Sequence, residues 1–192
     1  MKDSDIRQVI LIDLNRAYTD DPNTMIIEEL GLCQGEARID IAVVNGSIHG
    51  FEIKSDQDTL RRLPRQVKIY SRTLDFVTLV VGNIHLEQSL EVIPKWWGIV
   101  VAEEKSGKIT LKKRRNGRLN PTLDPFAVAQ LLWRDEAFKA LEKSGLHRGL
   151  ANKPRAILWG KLAEHLPLNE LLALVREILK SRENWRSGCQ QE

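Results

Sequence analysis

The stretch Arg38-Ile39-Asp40-Ile41-Ala42-Val43-Val44-Asn45-Gly46-Ser47-Ile48-His49-Gly50-Phe51-Glu52-Ile53-Lys54 decides how this chain folds. Asn-Gly between two apolar runs is a strong signal for a β-hairpin. The strands are expected over about 37–44 and 47–54. Glu52 and Lys54 lie two apart and share one strand face, while Phe51 and Ile53 take the other and can pack on a helix. Register then decides where Asp40 goes. A two-residue loop pairs Val44 with Ser47 and turns Asp40 away from Glu52. An odd-length loop, a bulge or splayed strands would bring the two carboxylates together. Burying such charges costs free energy unless they are paired or bind an ion. Converging carboxylates suit a hard divalent cation, and a neighbouring lysine could orient a water. That equipment suits hydrolysis of a phosphodiester.

The flanking sequence extends the pattern. A first helix is expected from about Asp5 to Tyr18, capped by Asp3 or Ser4, with Ile6, Val9, Ile10 and Leu14 at helical spacing and Asp13 among them. Thr24 to Leu30 reads as a short strand in preference to a helical turn stopped at Gly31. Ser55-Asp56-Gln57-Asp58 has the form of a capping box opening a helix to about Leu74, which Pro64 either kinks or starts. Asp75 to Gly82 reads as a strand buried on both faces, in parallel pairing. The core order is helix, three strands, helix, strand. A helix over Leu86 to Ile93, a strand from Trp96 to Val101 and a hairpin partner from Lys108 to Arg114 follow. Beyond Asn120-Pro121 the chain is helical, in segments over about Pro125 to Lys143, Pro154 to His165 and Leu168 to Trp185. The expected division is a domain over 1–120 and a helical extension over 121–192.

Gln66 and Tyr70 lie four apart on one helix face, with Arg62 a turn earlier. An amide, a phenol and a guanidinium there would meet the strand residues and a bound phosphate. By themselves they also describe a partly exposed helix surface with a Tyr at its edge.

Composition sets outer bounds. The 192 residues are 42% hydrophobic and 29% charged, which allows a sizeable core, and the net charge of +3 permits nucleic acid without demanding it. Cys33 and Cys189 and four scattered histidines show neither a disulfide scaffold nor zinc-ligand spacing. No apolar run is long enough for a membrane span and no signal-peptide pattern opens the chain, so a cytoplasmic location is expected. No Ser/His/Asp or Cys/His pattern suggests covalent catalysis. The run Lys112-Lys113-Arg114-Arg115 would grip a phosphate backbone or form a charged edge strand that discourages aggregation. Trp96 and Trp97 could stack on bases, with a core role expected for at least one. The stripe Leu168, Leu171, Leu172, Val175, Ile178 and Leu179 is core, or a surface for a homodimer or another partner.

Together, Asp40, Glu52-x-Lys54 and Gln66-x-x-x-Tyr70 resemble the PD-(D/E)XK nuclease superfamily, the last element its RecB-like branch. Glu52-Ile53-Lys54-Ser55-Asp56, Arg62-Leu63-Pro64-Arg65-Gln66 and Pro94-Lys95-Trp96-Trp97-Gly98-Ile99 are similar to a bacterial family placed in it, a similarity expected to extend into Leu131-Leu132-Trp133-Arg134. The resemblance implies an α/β restriction-endonuclease-like fold, a mixed central sheet flanked by helices, and metal-dependent cleavage of DNA, with RNA open. It implies Mg²⁺ or Mn²⁺ on Asp40 and Glu52, Lys54 positioning the attacking water, Gln66 and Tyr70 lining the site, and an additional acid, Glu29 before Glu28. Ile39 stands where the superfamily's namesake has proline. The rival readings are an inactive nucleic-acid-binding module and a protein-interaction adaptor using the C-terminal helices.

Overall fold

A computed structural model describes residues 1–182. Its six strands form one mixed sheet in the order β1-β2-β3-β4-β5-β6, which is also their order in the chain. The strands are β1 Met25–Leu32, β2 Ala37–Val44, β3 Ile48–Lys54, β4 Phe76–Gly82, β5 Gly98–Lys105 and β6 Lys108–Arg115. β1, β2 and β3 form an antiparallel meander; β3, β4 and β5 run parallel; β6 turns back on β5. The parallel steps need crossovers, supplied by helices α2 (Leu63–Thr73) and α3 (Leu86–Val92).

Helix α1 (Asp3–Ala17) covers one face of the sheet. Its Ile6 and Ile10 pack with Ile41, Ile53, Val80 and Ala102. The helix begins earlier than the sequence suggested. Neither Asp3 nor Ser4 caps it; Asp5 reaches back instead and accepts from the Lys2 N–H at 2.9 Å. Asp13 is exposed and leaves the apolar face to its neighbours.

The other face carries α2 and the C-terminal helices α4 (Pro125–Ala129), α5 (Arg134–Lys143), α6 (Arg155–His165) and α7 (Leu168–Ser181). The single helix expected over 125–143 is two, parted around Trp133, where Glu136 caps α5 by accepting from the Trp133 N–H at 2.7 Å. The expected end of the last helix at Trp185 lies outside the described residues, as does Cys189. One hydrophobic cluster joins Ile39, Leu63, Tyr70, Leu74, Leu79 and Trp97 to Val128, Leu158, Trp159, Leu171, Val175 and Leu179. Residues 121–182 therefore share their core with the sheet. The α7 stripe is consumed inside the chain, with Leu171, Leu172, Val175 and Leu179 all buried. A homodimer through these helices would need a different face. Trp96 and Trp97 are both buried, so neither offers a stacking platform.

Ser55–Asp58 closes a turn instead of opening a helix: Asp58 accepts from the Ser55 N–H at 2.8 Å and from the Ser55 hydroxyl at 2.6 Å. A single 3₁₀ turn, Leu60–Arg62, follows, and Pro64 stands in the first turn of α2, so it starts the helix.

Candidate active site

The site lies where β2 and β3 part. The loop Asn45-Gly46-Ser47 has three residues, because Val44 pairs with Ile48. Val43 then pairs with His49 and Ile41 with Phe51, a register that carries Asp40 towards Glu52. Regular pairing stops at Ile41–Phe51. Beyond it the Asp40 carboxylate itself takes the Ile53 N–H, at 2.7 Å, and so replaces a ladder carbonyl.

The opposite edge of β2 is interrupted at the same residue. β1 pairs Glu28 with Ile41 and Leu30 with Ile39, skipping Glu29 and Asp40. Glu29 has φ +60°, a left-handed conformation costing a non-glycine residue roughly 1–2 kcal/mol. Plain alternation would put Ile39 and Ile41 on one face. The break sends Ile41 to the α1 side and Ile39 to the α2 side, against Leu74. Asp40 is thereby freed from both ladders.

Glu52 is 1% exposed and Lys54 4%, so neither is solvated and each requires protein partners. Lys54 Nζ contacts Glu52 Oε1 in a short ion pair and donates to the Ile53 carbonyl at 3.2 Å. Gln66 Nε2 donates to the same Glu52 oxygen at 2.6 Å. The Tyr70 hydroxyl lies 2.6 Å from Glu52 Oε2 and 2.8 Å from the Arg38 carbonyl, and accepts from Gln66 at 3.2 Å. Tyr70 is wholly buried and stacks on Trp97, with ring centroids 6.0 Å apart. It supports Glu52 from behind and does not line the cleft. Burial, with Glu52 beside it, pushes the Tyr70 phenol well above its ordinary range, so it stays protonated. Burial, with Glu52 next in weight, pushes the Asp40 carboxyl up to about 7, against the Ile53 N–H, Arg7 and Lys54. The shift is chiefly the cost of keeping a carboxylate charged away from water, with the neighbouring Glu52 adding to it.

These groups open into a cleft of about 520 Å³ lined by α1, the β1–β2 hairpin, β3 and the start of α2. Asp40, Glu52, Lys54, Gln66, Glu29 and Arg62 all line it; Glu28 does not. Both Glu29 oxygens are engaged by arginines, Oε1 by Arg7 at 2.7 Å and Oε2 by Arg38 at 3.4 Å. The basic run is elsewhere. β6 is the far edge of the sheet, three strands from β3. There Lys112 pairs with Glu103, and Arg115 donates to the Trp97 and Pro94 carbonyls. The register of β6 slips between Lys113 and Arg115, a bulge on a lysine-rich edge. That arrangement discourages edge-to-edge pairing and leaves the run apart from the cleft.

Sequence reasoning missed Arg7. Its guanidinium binds Asp40 Oδ1 at 2.8 Å, the Asp40 carbonyl at 3.0 Å, Glu29 Oε1 at 2.7 Å and Asp3 Oδ1 at 3.3 Å. The available signal was an arginine beside the apolar stripe of α1, one turn after Asp3. Arg65 was missed too; it lines the cleft one turn from Arg62.

A family model described as bacteriophage P4 protein cII matches residues 2–190. The chain belongs to that family. Protein cII of Enterobacteria phage P4 is 29% identical to this cII-family chain over 157 residues, 82% of this chain. The aligned part is 59% of that relative, so the chain spans less than two thirds of its length. No solved structure matches. Among the described residues of this cII-family member, no helix is long and apolar enough to cross a membrane. No group of three or more His, Cys, Asp or Glu among them is arranged to hold a metal ion.

Proposed function

We propose that this cII-family chain hydrolyses DNA phosphodiester bonds with Mg²⁺ or Mn²⁺, at a restriction-endonuclease-like site built on Asp40, Glu52 and Lys54. The single observation that carries the reading is the break of both β2 ladders at Asp40. It puts the largely buried Asp40 carboxylate beside a buried Glu-Lys pair, in an open cleft.

The residues fit a hard divalent ion. Two carboxylates and the Ile53 carbonyl are oxygen donors, and Mg²⁺ commonly takes one or two carboxylates and fills the rest of its shell with water. Gln66 Oε1 is buried with no donor among the described residues. Asp40 and Glu52 would hold the ion. Bound there, it supplies a Lewis acid that polarises a phosphoryl oxygen and makes water more acidic. Lys54 is fixed between Glu52 and the Ile53 carbonyl, where its ammonium would orient the attacking water and offset charge developing on the phosphoryl group. Gln66 and Tyr70 hold Glu52 in one rotamer. Arg62 and Arg65 face the cleft as contacts for flanking phosphates.

One observation favours the rival reading, an inactive nucleic-acid-binding module on the same fold. Every oxygen of Asp40 and Glu52 already has a protein donor. A plasmid-cleavage assay separates the two. The nuclease reading expects cleavage that requires Mg²⁺ or Mn²⁺ and disappears in Asp40→Ala. Metal-independent DNA binding without cleavage, unchanged in that variant, would favour the rival.

A further inference from the structure

The cleft does not attract a polyanion by its own charge. Asp3, Glu29, Glu36, Asp40, Glu52 and Asp58 line it against five cations, Arg62 and Arg65 among them. Attraction for a phosphate backbone must therefore come from beyond the lining. From Thr59 to Leu74 the chain has no acid and carries Arg61, Arg62, Arg65, Lys68 and Arg72. All five are exposed. Arg72 takes Asp124 at 2.8 Å, while the other four make no ion pair and no side-chain hydrogen bond among the described residues. Arg61, Arg65 and Lys68 follow at spacings of four and three, so they share one side, away from the buried Leu63 and Tyr70. Arg62 stands beside them at the mouth of the cleft. Helix stability does not explain these cations. The start of a helix carries partial positive charge and favours acids. The first turn of α2 has none, and Arg61, Arg62 and Arg65 crowd there instead.

We propose that Arg61, Arg62, Arg65 and Lys68, on the outward side of the 3₁₀ turn and α2, are a bed for one phosphate backbone of duplex DNA, and that the basic run of β6 takes no part. This deepens the reading of the site above and rests on it only for where the backbone leads, which is into the cleft. From Arg61 to Lys68 the span is roughly 11 Å, the rise of about three phosphates on one strand. Arginine forks suit phosphate oxygens. Tyr70 is the one aromatic between Thr59 and Leu74 and is buried, so nothing there stacks on the bases of an open strand. No large apolar side chain is exposed in that stretch, as insertion into a lipid surface would need. Contacts of this kind carry no base information, so the binding is independent of sequence. On β6, by contrast, Lys112 is held by Glu103 and Arg115 by the Trp97 and Pro94 carbonyls.

The test is fluorescence anisotropy of a labelled DNA duplex with the intact protein, in EDTA so that no cleavage intervenes, over a series of salt concentrations. The double variant Arg61→Gln/Lys68→Gln changes two residues outside the lining of the cleft. It is expected to bind about tenfold more weakly at low salt and to lower the slope of log affinity against log salt by about 1.8. Lys113→Gln/Arg114→Gln on β6 is expected to leave both unchanged, and Arg61→Lys/Lys68→Arg to keep the wild-type slope. Should the first variant fail to fold, the single changes Arg61→Gln and Lys68→Gln replace it, each lowering the slope by about 0.9. An unchanged slope in the α2 variants, or an equal fall in the β6 variant, would overturn the proposal. So would no binding of the duplex by wild type, or tighter binding of the single strand or of phosphatidylserine vesicles. The expected slopes without cleavage in Mg²⁺ or Mn²⁺ remove hydrolysis and leave this surface standing. Cleavage by wild type with an unchanged slope in the α2 variants removes the surface and leaves hydrolysis.

Discussion

Glu52 concentrates the chemistry of single residues. Its carboxylate is buried and takes donors from Lys54, Gln66 and Tyr70. Removing one member of a buried pair strands the other as an uncompensated charge. Glu52→Ala is therefore expected to lower unfolding free energy by roughly 3–5 kcal/mol in urea titrations. A loss below about 1 kcal/mol would mean that Lys54 finds another partner or leaves the interior. Gly50 answers to a different constraint. A methyl group there would meet Leu74 Cδ1 at 2.7 Å and Ile39 Cγ1 at 2.9 Å. Overpacking of this kind costs about 1–3 kcal/mol, so Gly50→Ala should unfold at correspondingly lower urea, with an unchanged slope. Glu52 and Lys54 were legible in sequence because a two-residue spacing fixes a shared face wherever a strand forms. Arg7 was not, because its target lies 33 residues away on another element. An arginine beside an apolar helix stripe looks the same whether it faces water or a carboxylate.

At the scale of elements, the β2–β3 hairpin explains most of the site, and its ends were readable from Asn45-Gly46. The loop length was the open question, and Ser47 settles it by joining the loop: its N–H donates to Asn45 Oδ1 at 3.2 Å. The break opposite Glu29 was not readable. Its residue type gives no sign of a left-handed backbone, and the alternation of Ile39, Ile41 and Val43 argued for an unbroken strand. β3 also carries a titration that can be followed. His49 stacks on Phe51 and bonds Thr78 Oγ1 at 2.8 Å, and burial lowers its pKa to about 4. Its ordinary value is 6.5. Below that value the unfolded chain takes up a proton that the folded chain refuses. The stability His49 contributes is thus intact above pH 6.5 and lost as pH falls towards 4. Wild type should lose on the order of 2 kcal/mol more than His49→Gln between pH 7 and 4, as read from paired denaturation curves. Equal losses would mean that His49 is protonated in the fold.

Across the whole molecule, the C-terminal helices complete the core that holds the site. Tyr70 supports Glu52, and the cluster behind Tyr70 runs through Trp97 into α4, α6 and α7. The sequence shows apolar stripes on these helices but not what they dock on, so periodicity favoured core and left a dimer or partner surface as alternatives. A fragment ending at Asn120 should therefore be molten, binding a hydrophobic dye and lacking near-ultraviolet circular dichroism. A native-like spectrum from that fragment would contradict a shared core. The charge pattern was legible in amount but not in place: the basic run stands on the far edge strand, while the cleft draws its arginines from α1, β2, the 3₁₀ turn and α2. Hydrolysis at this site depends on Lys54 acting on a phosphodiester. The most direct measurement is the rate at which wild type and Lys54→Ala nick supercoiled plasmid DNA in Mn²⁺. The predicted result is nicking by wild type and a fall of at least about 100-fold in the variant. Equal rates, or no nicking by wild type, would contradict it.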